Sequence, residues 1–113
     1  MDRLKGMTEI SVVIPAHNEA GNILPLLSEI DTSLSYLNDY EVIVVDDGSD
    51  DNTLEELYRA LSDYPRLRVL RHEQRCGKAA GLVTGINAAQ APWIVTLDGD
   101  GQDAPSEIPK LLA

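Results

Sequence analysis

The chain has 113 residues, 43% hydrophobic and 25% charged, which is the balance of one modest globular domain and excludes wholesale disorder. Its net charge of −10 excludes general nucleic-acid binding, which needs clustered Lys and Arg on phosphates. The single cysteine, Cys76, excludes an internal disulfide and fits a reducing compartment.

The opening MDRLKGMTEI has no apolar stretch of the signal-peptide kind. No apolar run approaches the ~20 residues of a membrane span. The expectation is therefore a soluble, cytoplasmic chain. ISVVIP (10–15) is the first predicted strand, a continuous apolar and β-branched run that suits burial on both faces. Ile23, Leu27, Ile30, Leu34 and Leu37 then step by four, three, four and three, one stripe of a helix, with Pro25 tolerated in the first turn. EVIVV (41–45) is the second strand. Leu54, Leu57 and Leu61 mark a second helix, with Ser49, Asp50 or Asp51 as cap candidates and Pro65 as its stop. LRVLR (67–71) alternates, which predicts a strand with one more exposed face, nearer an edge. Lys78 to Ala89 is a third helix rich in Gly and Ala, and Gly81 and Gly85 would let it pack closely on a sheet. WIVTL (93–97) is a fourth buried strand. PSEIPKLLA reads as the opening of an amphipathic helix that stops unfinished. Strands alternating with helices through short links predict an α/β fold, a mainly parallel sheet with flanking helices and right-handed crossovers.

Ligands of open α/β sheets bind beyond the carboxyl ends of the strands. Those ends carry Ala16-His17-Asn18-Glu19, Asp46-Asp47-Gly48-Ser49, His72-Glu73-Gln74-Arg75 and Asp98-Gly99-Asp100, all on one rim if the strands are parallel. Each set also has a plain reading. DDGSDDNT fits a helix cap and a turn; His17 and His72 fit ordinary polar loops; Arg75 and Lys78 fit a solvated surface; Cys76 and Trp93 fit packing. Lys78, near a helix start where a cation is disfavoured, is best explained by a nearby anion. Asp98 and Asp100, two residues apart after a buried strand, repel each other unless a cation is present. Oxygen ligands from Asp98, Asp100 and Gln102 suit Mg2+ or Mn2+, which would let an acidic chain hold a diphosphate. Asp103 reads instead as a cap of the turn or of the following helix.

SVVIPAHNEAGNI, EVIVVDDGSDDNT, GKAAGLVTGI and TLDGDGQD occur in that order. Over residues 9–113 the sequence resembles the N-terminal half of family 2 glycosyltransferases, most of all the polyprenol- and dolichol-phosphate sugar transferases. The resemblance implies the Rossmann-like nucleotide-binding half of a GT-A fold. It implies one nucleotide-sugar-binding domain over 1–113, incomplete at its C-terminus. It further implies a nucleotide-sugar pocket lined by Pro15, Ala16, His17 and Glu19, with Asp46 on the base or ribose and Asp47 supporting the turn. Gly77 and Lys78 would border the phosphates beside Asp98 and Gly99. Asp98 and Asp100 would be the Asp-x-Asp motif, with Gln102 as a third metal ligand. His17 stands where the family often has an aromatic residue, and imidazole can still stack.

The implied reaction is inverting sugar transfer from a nucleoside-diphosphate sugar to an acceptor such as a polyprenyl phosphate, with the longer protein peripheral to the cytoplasmic membrane face. The catalytic base and acceptor elements would lie beyond Ala113, leaving the isolated chain inactive and prone to self-association. A non-catalytic nucleotide-binding or regulatory module would carry the same motifs and is the alternative. A phospho-receiver domain would place its acidic pair after the first strand, not the second. A nucleotidyltransferase would carry a Gly-rich basic loop where PAHNEAGN stands.

Overall fold

The computed structural model describes residues 8–37, 39–99 and 105–107. In chain order these form β1 (Ile10–Ala16), α1 (Ile23–Leu34), β2 (Glu41–Asp47), α2 (Thr53–Ala60), β3 (Leu67–His72), α3 (Lys78–Ala88), β4 (Trp93–Thr96) and a 3-10 turn, Pro105–Glu107. Most of the segment read as an unfinished C-terminal helix lies outside the described residues.

The strands make one parallel sheet in the order β3-β2-β1-β4. Period-2 alternation splits the buried residues of the central strands between two faces. Val12, Ile14, Val42 and Val44 pack with Ile23, Leu26, Leu27, Ile30 and Leu34 of α1 and with Leu57 and Ala60 of α2. Val13, Ile43 and Val45 face the other way, against Leu82 and Ala88 of α3. Among the described residues the result is three layers, with α1 and α2 on one face and α3 on the other. The glycines of α3 allow the close approach: a methyl group at Gly85 would lie 2.3 Å from Val13 Cγ1, and one at Gly81 3.0 Å from Pro15 Cβ. No helix of the described residues is long and apolar enough to cross a membrane.

Three expectations change. Helix α2 begins at Thr53, so its buried stripe is Thr53, Leu57 and Ala60. Leu61 falls at the C-cap and is 41% exposed. Helix α1 ends at Leu34, and Leu37 packs on the core from the turn that follows. WIVTL is buried at Leu97 but not at its start: Trp93 is 66% and Ile94 38% exposed, because among the described residues β4 pairs with β1 alone and forms the sheet edge opposite β3. An apolar run states what a strand is fit to bury, not what covers it.

A buried polar cluster at the amino ends of the strands was not anticipated. Glu41 accepts hydrogen bonds from the Ser11 hydroxyl (2.6 Å), the Gln90 N–H (2.7 Å) and Arg68 (2.7 Å). Ser11 in turn accepts from the Ala91 N–H (3.2 Å), and Arg68 donates to the Ala88 carbonyl (2.9 Å). One carboxylate thus ties β1, β2, β3 and the α3–β4 connection together. Burial alone would push its pKa up, but these donors outweigh it and hold Glu41 below its ordinary 4.5. A depressed pKa means the unfolded chain binds the proton more readily. The stabilisation is therefore present above about pH 4.5 and lost as pH falls through the folded value.

Two outcomes are expected. Glu41→Gln should lower unfolding stability by about 2 kcal/mol at pH 7, the scale of lost charge-assisted hydrogen bonds. In denaturant titrations the gap from wild type should close as pH drops toward 3; a gap independent of pH would remove the ionised carboxylate from this role. The exposed β4 edge and its apolar side chains should also drive concentration-dependent association, measurable by light scattering. Trp93→Lys with Ile94→Lys should reduce it, and a wild-type chain that stays monomeric at high concentration would contradict that reading of the edge.

Candidate functional site

The strand order reverses at β1. From β1 the chain moves outward through α1 to β2 and through α2 to β3, then returns over the opposite face through α3 to β4. The crossover that leaves β1 and the one that enters β4 cover opposite faces of the sheet, and such a switch point opens a crevice at the carboxyl ends of the strands. A cleft of about 240 Å³ lies there, between Pro15 and Ala16 at the end of β1, His17 and Glu19 just after it, Asp47 at the end of β2, Arg75 and Lys78 before and at the start of α3, and Asp98 and Gly99 after β4. A second hollow of about 260 Å³ lies at the other end of the sheet, between Tyr40 and Arg66. There the Tyr40 hydroxyl is bonded to Asp31 (2.7 Å) and Arg66 stacks on the Tyr40 ring. None of the residues expected from the sequence lies in it, so the chemistry points to the first cleft.

The loop after β1 has backbone donors that no strand or helix satisfies, and the start of α2 supplies acceptors. Asn18 N–H donates to Ser49 Oγ (2.9 Å), Glu19 N–H to Thr53 Oγ1 (2.8 Å), Ala20 N–H to Asp51 Oδ2 (3.2 Å) and Gly21 N–H to the Glu56 carboxylate (3.1 Å). Asp50 N–H returns one bond to Asn18 Oδ1 (2.8 Å). Asn52, not Ser49, Asp50 or Asp51, is the N-cap residue of α2, without a side-chain cap bond, and Asp51 just before it accepts the Thr53 N–H (2.9 Å). Burial would raise its pKa, but the Thr53 and Ala20 donors prevail and hold it below the ordinary carboxylate value. This seam fixes His17 and Glu19 at the cleft wall. His17 Nδ1 donates to the Asp47 carbonyl (2.7 Å), which orients the ring.

The two aspartates of the DDGS segment part company. Asp46 is 1% exposed and accepts the Ser49 hydroxyl (2.5 Å); it does not line the cleft. Asp47 lines it, yet its carboxylate supports a different loop from its own turn. Oδ1 accepts from Cys76 N–H (2.8 Å) and His72 Nδ1 (2.9 Å), and Oδ2 accepts from Gly77 N–H (2.9 Å). Burial pushes the Asp47 pKa up, and these donors more than reverse it. The β2–α2 turn is free of that duty because Gly48 takes φ +64°, and a Cβ there would sit 2.5 Å from Arg75 N. Only glycine lets the 74–75 backbone rest on this turn. Asp47, His72 and Cys76 bring potential metal-binding atoms within 4.8 Å of one another. Since N–H donors already hold the carboxylate, the group acts as a hydrogen-bond network.

On the far wall Lys78 Nζ is ion-paired with Asp98. The anion that the position of Lys78 called for is thus Asp98, across the cleft floor from β1. Gly99 is buried, with Pro15 O 3.1 Å and Ala16 Cβ 3.2 Å from where its Cβ would lie. Asp100, Gln102 and Asp103 lie outside the described residues. Gly77 stands just behind the cleft, as the residue that starts α3 with φ +100°. Arg75, read as solvated, is exposed and also lines the cleft, while Cys76, read as packing, is exposed. His72, read as a loop residue, is the last residue of β3 and pairs in register with Asp47. That register was the available signal: adjacent parallel strands bring their last residues side by side.

The model of the family described as Glycosyl transferase family 2 matches residues 11–113. The chain is 39% identical over 104 residues to a dolichol-phosphate mannosyltransferase of Pyrococcus furiosus, spanning 92% of this chain and 29% of that protein. It is 34% identical over 116 residues to an undecaprenyl-phosphate 4-deoxy-4-formamido-L-arabinose transferase of Proteus mirabilis, spanning 100% and 35%. The structure of the mannosyltransferase PcManGT from Pyrobaculum calidifontis, in complex with GDP-Man and Mn2+, superposes with a TM-score of 0.75 at 31% identity, over 83% of this chain and 28% of that one. The chain therefore spans about a third of these relatives. The match along residues 11–113 and the sheet that forms the cleft agree: the chain belongs to glycosyl transferase family 2, with the GT-A fold.

Proposed function

We propose that the cleft binds a nucleoside-diphosphate sugar through Mg2+ or Mn2+, as the donor half of an enzyme that transfers the sugar to a polyprenyl phosphate. The observation that carries this reading is the pairing of Lys78 with Asp98 in a cleft at the switch point. The relatives whose names specify polyprenyl-phosphate acceptors, and the neighbour that holds GDP-Man and Mn2+, support it.

The donor set fits a divalent ion. Asp98 presents a half-exposed carboxylate that already holds a cation, the Lys78 ammonium, and hard oxygen ligands of this kind suit Mg2+ or Mn2+. Asp98, together with Asp100 and Gln102, would hold the ion, which when bound supplies Lewis-acid neutralisation of the departing diphosphate. Lys78, released from Asp98, would meet a phosphate oxygen, and Arg75 adds a second positive charge at the same wall. His17, oriented by the Asp47 carbonyl, and Glu19 would face the nucleoside, with Asp46 and Asp47 fixing the loops on either side. A phosphate nucleophile is already anionic, so this chemistry makes little demand on a strong base. None of the described residues is assigned that role, and we assign the isolated chain donor binding without turnover.

The test is calorimetric and NMR titration of the chain with UDP, GDP and GDP-mannose, with and without Mn2+. Trp93 fluorescence is a poor reporter, since Trp93 sits at the end of β4 remote from the cleft. Diphosphate binding should require Mn2+, fall at least tenfold in Asp98→Asn and vanish in Asp100→Ala. Metal-independent binding would discard the ion assignment, and no diphosphate binding under any condition would discard the donor site.

A further inference from the structure

We propose that His72 is a positioning residue for the phosphate end of the cleft, acting through Asp47 on the backbone that leads into Lys78. This rests on the reading of the cleft as a diphosphate site. His72 ends the edge strand β3 directly beside Asp47, and its side chain is 15% exposed. Both ring nitrogens are engaged, Nδ1 with Asp47 Oδ1 (2.9 Å) and Nε2 with the Thr84 hydroxyl (2.8 Å). A neutral imidazole satisfies both at once, donating from Nδ1–H to the carboxylate and accepting the Thr84 O–H at Nε2.

The consequence lies one step further on. Helix α3 has no local side-chain cap, since Gly77 precedes it. Asp47, from another strand, takes the Cys76 and Gly77 N–H groups instead. The direction of this carboxylate therefore sets where the chain enters α3, and so where Lys78 meets Asp98. His72 fixes that direction, and Thr84, on the second turn of α3, ties the ring back to the helix being positioned. The circuit β2–β3–α3 runs through the Asp47, His72 and Thr84 side chains and closes on the Cys76 and Gly77 amides. Arg75 belongs to the same loop, its backbone seated on Gly48. A residue that touches no ligand thus governs both cationic side chains of the cleft.

The substitutions His72→Ala, His72→Asn and Thr84→Val separate this role from simple support of the fold. An Asn side chain reproduces the Nδ1 donor but cannot reach Thr84. Amide hydrogen exchange at Cys76 and Gly77 should rise at least tenfold in His72→Ala, rise less in Thr84→Val, and return toward wild type in His72→Asn, while amides of β1 and β2 stay protected. With Mn2+, the preferred nucleoside diphosphate should bind at least fivefold more weakly to His72→Ala, the free nucleoside should change less than twofold, and His72→Asn should recover most of the loss. Unchanged exchange at Cys76 and Gly77, or nucleoside and diphosphate affinities falling together without rescue by Asn, would overturn the proposal. A wild-type chain that binds no diphosphate would fail the donor-site reading instead, and the exchange measurement would still decide whether His72 holds the loop.

Discussion

The reversal of strand order at β1 is the constraint on which everything else rests. The crossover that leaves β1 covers one face of the sheet with α1, and the crossover that enters β4 covers the other with α3, so the strand order switches between β1 and β4. The cleft lies at the carboxyl ends of these two strands. The approach of Gly99 to Pro15 and Ala16 narrows its floor, and the close packing of Gly81 and Gly85 on β1 brings the start of α3 to its wall. A bulkier residue at Gly85 would lift α3 and carry Lys78 away from Asp98.

The second theme is how an acidic chain prepares a place for an anion. Three of the rim carboxylates are satisfied by the protein's own donors, Asp46 and Asp47 while buried: Asp46 by Ser49, Asp47 by the Cys76 and Gly77 amides and His72, and the exposed Asp51 by Thr53 and Ala20. Their charge is absorbed in holding loops, much as Glu41 is absorbed at the opposite end of the sheet. Among the described residues of the cleft, Asp98 is the carboxylate that meets a cationic side chain at the surface. The helix-cap reading of the DDGSDDNT segment and its ligand reading are therefore complementary. The cap and turn contacts are what hold the cleft wall in place.

Much of the fold was legible because strand burial and helix periodicity are local properties. ISVVIP and EVIVV are buried wherever a two-sided sheet places them, and the α1 stripe requires only that one face meet that sheet. The errors share one cause. Leu61 and Trp93 are apolar side chains whose environment depends on where a helix stops or which strand lies outermost, and neither property is written in the residue. His72 and Cys76 were assigned bland roles because the relevant neighbour, Asp47, is 25 or more residues away in the chain.

The sequence by itself determined the parallel α/β class, the rim on which polar residues collect, and a family resemblance carried by four ordered motifs. These follow from composition, period and residue order. Only the tertiary structure decided which aspartate faces which loop, that Lys78 answers Asp98 across the cleft, and that one imidazole links two strands to a helix. Such choices depend on strand register and on approaches of a few ångströms between distant segments, and no local pattern encodes them.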